Sequence, residues 1–155
     1  MRRRGGFSLL ELAVAIALVT GLMYVLLDRI AWVQEMAEKT GMEESVRSIE
    51  TGLRLEAASR LARGLATEDL ERENPVRWLQ APPRNYLGEL ERAPASCPQG
   101  CWFYLRDAGS LAFRPGRAEH LEVAGGSREI RFAVAGPDAR GAAWRMVPVR
   151  AYRWF

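Results

Sequence analysis

The sequence predicts an α+β protein in which one long N-terminal helix packs against a small antiparallel sheet. All eight prolines lie at or beyond Pro75, as an uninterrupted helix before that residue requires. Residues 7–27 are almost entirely apolar, and apolar residues then recur at helical spacing as far as Leu65. After Cys101 the apolar residues alternate, which is typical of strands.

The first part of the predicted helix is long and apolar enough to cross a membrane. Residues 7–27 are interrupted only by Ser8, Glu11, Thr20 and Gly21. As a helix this run spans about 31 Å, which matches the hydrocarbon core of a bilayer. Three arginines precede it in the short leader, residues 1–6. The positive-inside rule therefore places the leader in the cytoplasm and the rest of the chain on the other side.

The balance of acidic and basic residues shows that the chain is not a polycation. The chain has 22 basic and 19 acidic residues, a formal net charge of +3, but removal of the leader leaves 19 of each. An excess of arginine remains in residues 114–155. That excess could meet a nucleic acid or another acidic partner, but a solvated rim of the sheet is the favoured interpretation.

Two features distinguish the N-terminus from a plain signal anchor, which is the main alternative. Gly5-Gly6 stands between the arginines and the apolar run, where an open backbone suits a protease at the membrane surface. Glu11 lies inside the run, where an ionisable group costs about 2.5–3.5 kcal/mol on insertion scales. The run is also too long for an ordinary secretory signal peptide.

The segment Gly6-Phe7-Ser8-Leu9-Leu10-Glu11 resembles the cleavage and methylation motif of type IV prepilins and type II secretion pseudopilins. The resemblance implies a pilin-like fold and a prepilin peptidase that cuts after Gly6 and methylates the new amino group of Phe7. It also implies that Glu11 pairs with the Phe7 ammonium of a neighbouring subunit. The implied partners are the peptidase, other pilins or pseudopilins, the lipid of the inner membrane and its assembly platform.

Residues 28–66 form the amphipathic half of the predicted helix. Its apolar stripe consists of Val46, Ile49, Leu53, Ala57, Leu61 and Leu65, with charged residues between them. Many pilins carry a proline shortly beyond the apolar centre, whereas Asp28 stands near that place here. A proline-specific kink is therefore not expected.

Residues 67–101 are predicted to be a connecting loop, with a helical turn at 67–70. Within it, the run Asn74-Pro75, Trp78-Leu79 and Pro82-Pro83-Arg84-Asn85-Tyr86-Leu87-Gly88-Glu89 resembles minor pilins of the mannose-sensitive haemagglutinin type. This second resemblance favours a pilus over a secretion system.

Residues 102–155 are predicted to form a head of four or five antiparallel strands. Residues 102–105 and 111–113 flank a turn and predict one hairpin, and residues 121–123 and 129–134 flank Gly125-Gly126 and predict another. A final strand is expected around 144–147, continuing toward Tyr152, with Pro148 indicating a bend or an edge position. The aromatics of these strands are expected in the core or at subunit interfaces.

The two cysteines, Cys97 and Cys101, enclose a tight turn. On the far side of an inner membrane the compartment is oxidising, so a disulfide is favoured over free thiols. Metal binding is a third possibility. A structural zinc site has four ligands, however, and the sole histidine, His120, lies about twenty residues after Cys101. No metal and no cofactor are predicted.

The sequence shows no pattern of residues typical of an enzyme active site, and no enzymatic activity is predicted. The expected function is that of a minor type IV pilin, a structural subunit assembled into a pilus or priming its assembly. Its expected location is the bacterial inner membrane, single-pass with the head in the periplasm, and then the pilus or pseudopilus. A minor pseudopilin of a type II secretion system and a DNA-binding minor pilin remain the alternatives, with an unprocessed single-pass protein as a fourth.

Overall fold

A computed structural model describes residues 8–137 and 143–155 of the chain. The predicted cleavage site between Gly6 and Phe7 lies outside these residues. The chain divides into two compact units, which meet between Met36 and Ala37. One helix, α1 (Leu9–Ala62), contributes to both units, and it confirms the long N-terminal helix.

In the second unit, α1 buries one stripe of side chains against the sheet. Met42, Ile49, Leu53 and Ala57 are buried in one cluster with apolar residues of the strands. The predicted stripe is confirmed in its centre and wrong at its C-terminal end, because Leu61 and Leu65 are exposed.

The helix ends at Ala62, although the predicted apolar stripe continued to Leu65. Gly64 adopts a left-handed conformation (φ 68°), and the N–H of Leu65 donates to the carbonyl of Arg60 at 2.9 Å. This is the Schellman arrangement, in which a glycine lets the chain turn back and satisfies a terminal carbonyl. Leu65 therefore lies beyond the helix and outside the buried stripe.

Seven strands are present among the described residues, in two sheets. Five form one sheet in the order β1-β2-β3-β5-β6, and β4 pairs with β7 in a second. The strands are β1 (Tyr86–Leu90), β2 (Cys101–Leu105), β3 (Ser110–Arg114), β4 (Leu121–Val123), β5 (Ile130–Ala135), β6 (Arg145–Pro148) and β7 (Tyr152–Trp154).

The α+β class is confirmed, and the connections differ from expectation at two places. The first hairpin, β2 with β3, is as predicted. The second predicted hairpin is wrong, because β4 pairs with β7 and β5 lies between β3 and β6. The expected final strand is divided into β6 and β7, which belong to different sheets.

The predicted loop 67–101 contains a strand that the sequence reading missed. Tyr86–Leu90 forms β1, which pairs with β2 in parallel. A short 3-10 helix at Glu68–Glu71 confirms the expected helical turn, and a second one follows at Pro75–Trp78. The main sheet is therefore mixed rather than purely antiparallel.

The central strand β2 is buried on both faces. Trp102 and Tyr104 belong to the cluster shared with α1, whereas Cys101, Phe103 and Leu105 pack on the opposite face under Leu90 and Ala93. Trp144 and Trp154 are also buried. The expectation that these aromatic residues lie in the core is confirmed.

Side chains of α1 bond the outer edge of β6. The carboxylate of Glu50 accepts from the N–H of Met146 at 2.9 Å, and the guanidinium of Arg54 donates to the carbonyl of Trp144 at 2.9 Å. The N–H of Val149 donates to the carbonyl of Arg131 in β5. Because the backbone N–H groups of a strand point alternately to its two sides, the nitrogens at positions 146 and 148 face away from β5. Proline has no N–H to leave unpaired, and Pro148 occupies an edge strand as expected.

Candidate functional site

The first unit presents an apolar surface along the beginning of α1, which we call the N-terminal helix surface (Leu9–Leu27). The helix contains an 18-residue window with a mean hydropathy of 2.3, of which none is buried in the structure. Its exposed large side chains in this segment are Leu9, Leu10, Leu12, Val14, Ile16, Leu18, Val19, Leu22, Met23, Tyr24, Val25, Leu26 and Leu27. By length and composition this helix could span a membrane.

Ser8 begins the helix as its N-cap residue. Its hydroxyl oxygen accepts the N–H of Glu11 at 3.2 Å, and its carbonyl accepts the N–H of Leu12 at 3.0 Å. Ser8 and Glu11 have the spacing of a capping box, in which serine satisfies a free amide of the first turn. The sequence reasoning treated Ser8 only as an interruption of the apolar run, although the S-x-x-E pattern was a usable signal.

Two polar side chains, one just before the N-terminal helix surface and one on it, form hydrogen bonds with the helix backbone. Ser8 bonds the backbone of the first turn, and the hydroxyl of Thr20 donates to the carbonyl of Ile16 at 2.8 Å. Such bonds let a hydroxyl lie in an apolar environment at little cost.

Glu11 differs from them. It is exposed in the first turn of α1, and its carboxylate has no hydrogen-bond or ion-pair partner within residues 8–137 and 143–155. A carboxylate at a helix N-terminus is stabilised by the helix dipole, but the apolar surroundings of this one oppose its burial without a counter-charge. Any partner for Glu11 therefore has to come from outside the described chain.

The second predicted site is confirmed as a disulfide. Cys97 and Cys101 are bonded, with 5.6 Å between their Cα atoms. Inside the loop, Gly100 has φ 70° and donates its N–H to the carbonyl of Cys97 at 3.1 Å. The amide of Asn85 donates to the carbonyls of Gln99 and Gly100. The disulfide loop (Cys97–Cys101) is thus a fixed turn leading into β2.

The predicted site residues are distributed over the chain. Glu11 belongs to the first unit and the two cysteines to the second, while Gly6 and Phe7 lie outside the described residues. Across residues 8–137 and 143–155, no group of three or more His, Cys, Asp or Glu side chains is placed to hold a metal ion.

The described residues thus comprise an apolar helix that could cross a membrane and an α+β domain that contains a disulfide. Comparison with family models, with curated proteins and with solved structures found no match.

Proposed function

We propose that this chain is a minor type IV pilin, a structural subunit that a prepilin peptidase processes and an assembly machine packs into a pilus. Before processing, the chain is held in the bacterial inner membrane by residues 7–27, with the second unit in the periplasm. The carboxylate of Glu11, exposed on an apolar helix surface and unpaired among the described residues, is the observation that supports this proposal most strongly.

The chemistry of processing supplies the missing partner. Cleavage between Gly6 and Phe7 creates an ammonium group one residue before Ser8, which caps the helix. That ammonium lies at the positive end of its own helix dipole, where a cation is unfavourable. A carboxylate of an adjacent copy, Glu11, would satisfy it, and each charge would offset the desolvation cost of the other.

The pairing also explains why a bundle of such helices would adopt one stagger. Leucine and valine side chains pack with similar energies at several registers, since dispersion is not directional. A charge pair in an apolar bundle is attractive at one register and leaves two unpaired charges at the others. Glu11 would therefore set the axial position of each subunit relative to its neighbour.

A minor pseudopilin of a type II secretion system would use the same N-terminal chemistry. The resemblance of residues 74–89 to minor pilins favours the pilus. In the structure Asn74 of this segment caps the short helix Pro75–Trp78 through the N–H of Val76, and its amide donates to Glu89 in β1. The segment thus links the end of α1 to the sheet.

Mass analysis of the full chain tests the proposal directly. Co-expressed with a prepilin peptidase, the chain should lose residues 1–6 and begin at a Phe7 that is one methyl group heavier. Without the peptidase it should retain Met1 through Gly6. Gly6→Val should block the cut, whereas the matched change Gly5→Val, one bond further from the cleavage site, should leave it largely intact. A chain that keeps its leader in the presence of an active peptidase would refute the proposal.

A further inference from the structure

A cavity of about 960 Å³ lies on the second unit, beside the disulfide loop. Its lining comes from three segments of the chain. These are residues 95–98 before β2, residues 114–119 at the end of β3 and in the turn that follows, and Arg128 before β5. We call it the arginine pocket, after its lining residues Arg114, Arg117 and Arg128. Ser96, Pro98 and Glu119 also line it.

The three arginines of this pocket differ in their freedom. Arg114 is held in place, because its guanidinium donates to the carbonyl of Pro94 and, at 3.1 Å, to the carboxylate of Glu129. Arg117 and Arg128 are exposed, and in the part of the chain that the structure describes neither side chain has a hydrogen-bond or ion-pair partner. The pocket therefore has one fixed guanidinium and two that are available to a ligand.

The fixed arginine is itself incompletely satisfied. The Nε of Arg114 is buried and has no acceptor among the described residues. A buried donor without a partner is unfavourable, so holding Arg114 in this position lowers the stability of the second unit.

The walls of the pocket are stiff. The disulfide fixes the loop that carries Pro98, and Pro115 precedes Gly116 in the opposite turn. A Cβ atom at Gly116 would lie 2.7 Å from the carbonyl oxygen of Pro98, so the two turns are in close contact. The backbone of the pocket is therefore preformed, and a ligand has to order only the side chains of Arg117 and Arg128.

The lining of the pocket carries an excess of positive charge. Arg114, Arg117 and Arg128 stand against Glu119, and the nearby carboxylate of Glu129 is shared between Arg114 and Arg131. This excess favours an anionic ligand. Glu119 and Ser96 can accept hydrogen bonds, which a ligand rich in hydroxyl groups can donate.

We infer that the arginine pocket binds a carboxylate-bearing sugar, such as one uronic acid unit of an acidic polysaccharide. Arg117 and Arg128 hold the carboxylate through charge-assisted hydrogen bonds, and Glu119 with Ser96 accepts bonds from the ring hydroxyls. A nucleic acid backbone fits less well, because phosphodiesters donate no hydrogen bond to Glu119 and none of the described residues that line the pocket has an aromatic ring on which a base could stack. The inference stands independently of the proposed assembly into a pilus.

The test is calorimetric titration of the full chain in detergent micelles with trigalacturonate. The neutral galactotriose, inorganic phosphate and a short single-stranded DNA serve as comparison probes. Trigalacturonate should bind, and the double variant Arg117→Ala/Arg128→Ala should weaken its binding by about tenfold or more. The control Arg84→Ala/Arg150→Ala removes the same charge from two exposed arginines outside the pocket and should leave the affinity unchanged.

Glu119→Ala separates a sugar site from a phosphate site when its effects on the two ligands are compared. The loss of the negative charge should favour both anions equally, whereas the loss of the carboxylate acceptor should weaken only the ligand that donates hydroxyl groups to it. The affinity for trigalacturonate should therefore fall relative to the affinity for phosphate. The inference is overturned if galactotriose, phosphate or DNA binds as well as trigalacturonate, if Glu119→Ala leaves the ratio of the two affinities unchanged, or if the double variant binds like the unchanged chain.

Discussion

The carboxylate of Glu38 on α1 accepts the backbone N–H of Gly116, with 2.9 Å between the nitrogen and Oε2. The same oxygen accepts the N–H of Arg117 at 3.2 Å. Two consecutive backbone amides thus bind one carboxylate of the helix, as small anion-binding turns do. The turn after β3 is thereby joined to α1 on one side and to the disulfide loop on the other.

Gly116→Ala should destabilise the second unit. A Cβ atom there would meet the Pro98 carbonyl oxygen at 2.7 Å and the Gly100 nitrogen at 2.9 Å, and both are backbone atoms that cannot rotate away. We expect the free energy of unfolding to fall by about 1–3 kcal/mol, the usual range for overpacking. Urea denaturation of the full chain in detergent, followed by near-ultraviolet circular dichroism of the buried tryptophans, measures this.

Gly41→Ala is the matched control for that experiment. A Cβ atom at Gly41 meets nothing within 4 Å, and the residue lies inside α1. Alanine favours a helix over glycine by about 1 kcal/mol, so this variant should be as stable as the unchanged chain or slightly more so. Equal destabilisation by the two changes would show that close packing at Gly116 is not the cause.

Glu11→Ala should prevent incorporation into the filament without preventing cleavage. The variant still offers Gly6 and Phe7 to the peptidase, but in the proposed bundle it leaves the Phe7 ammonium of a neighbour unpaired. Because an unpaired buried charge costs about 3–5 kcal/mol, we expect incorporation to fall about tenfold or more. Immunoblots of sheared filaments against total membranes measure the ratio.

Glu44→Ala provides the comparison for Glu11→Ala. Glu44 is an exposed glutamate on the same helix and has no hydrogen-bond or ion-pair partner within residues 8–137 and 143–155. Its removal should leave incorporation near that of the unchanged chain. Normal incorporation of Glu11→Ala would contradict the role assigned to that carboxylate.

Glu89 should make the stability of the second unit depend on pH. A hydrogen bond from Asn74, with further bonds from Arg77 and Arg106, holds the pKa of this carboxyl below its usual range. A folded pKa below the unfolded one gives stability that is present above the unfolded value, about 4.3, and is lost as the pH falls through the folded value.

Glu89→Gln tests that dependence. Near pH 7 the variant should unfold more easily than the unchanged chain, because the amide cannot supply the negative charge. The difference should shrink as the pH falls from about 4.3, the ordinary value of a glutamate carboxyl, through the lowered pKa of the folded Glu89. Urea denaturation at several pH values measures it, and a difference that stays constant over that range would contradict the assignment.

Cys97→Ser/Cys101→Ser should lower stability only modestly. The disulfide closes a short loop, and loop-closure entropy for such a ring amounts to about 2 kcal/mol at most. Cys101 is also buried, in the small cluster with Phe103, so Cys97→Ser alone should disturb packing less than Cys101→Ser alone. Urea denaturation of the three variants provides the comparison, and a complete loss of folding in Cys97→Ser would contradict it.

The elements that were predicted correctly are those whose conformation depends on residues close together in the sequence. The apolar run and the absence of early proline predicted α1, and the turn between residues 105 and 110 predicted the hairpin of β2 and β3. The position of Pro148 predicted an edge strand. Each of these follows from the conformational preferences of a few neighbouring residues.

The features that the sequence analysis missed depend on distant partners. In the sequence, Tyr86–Leu90 follows residues that are typical of loops, and it forms a strand because it pairs in parallel with β2. Leu121–Val123 has the same alternation whether it pairs with β5 or with β7. The arginine pocket likewise joins residues from three separate segments, so its members are not recognisable along the chain.

The bonded outer edge of β6 has a consequence for how copies of the protein meet. The N–H of Met146 is engaged by Glu50 and Pro148 has none, so no outward amide of this strand is available to recruit an extra strand. At the other margin, β1 carries a register shift between Tyr86 and Glu89 and a left-handed Gly88, which spoil a flat template. Both margins of the five-stranded sheet thus oppose edge-to-edge pairing with the sheet of a neighbouring copy.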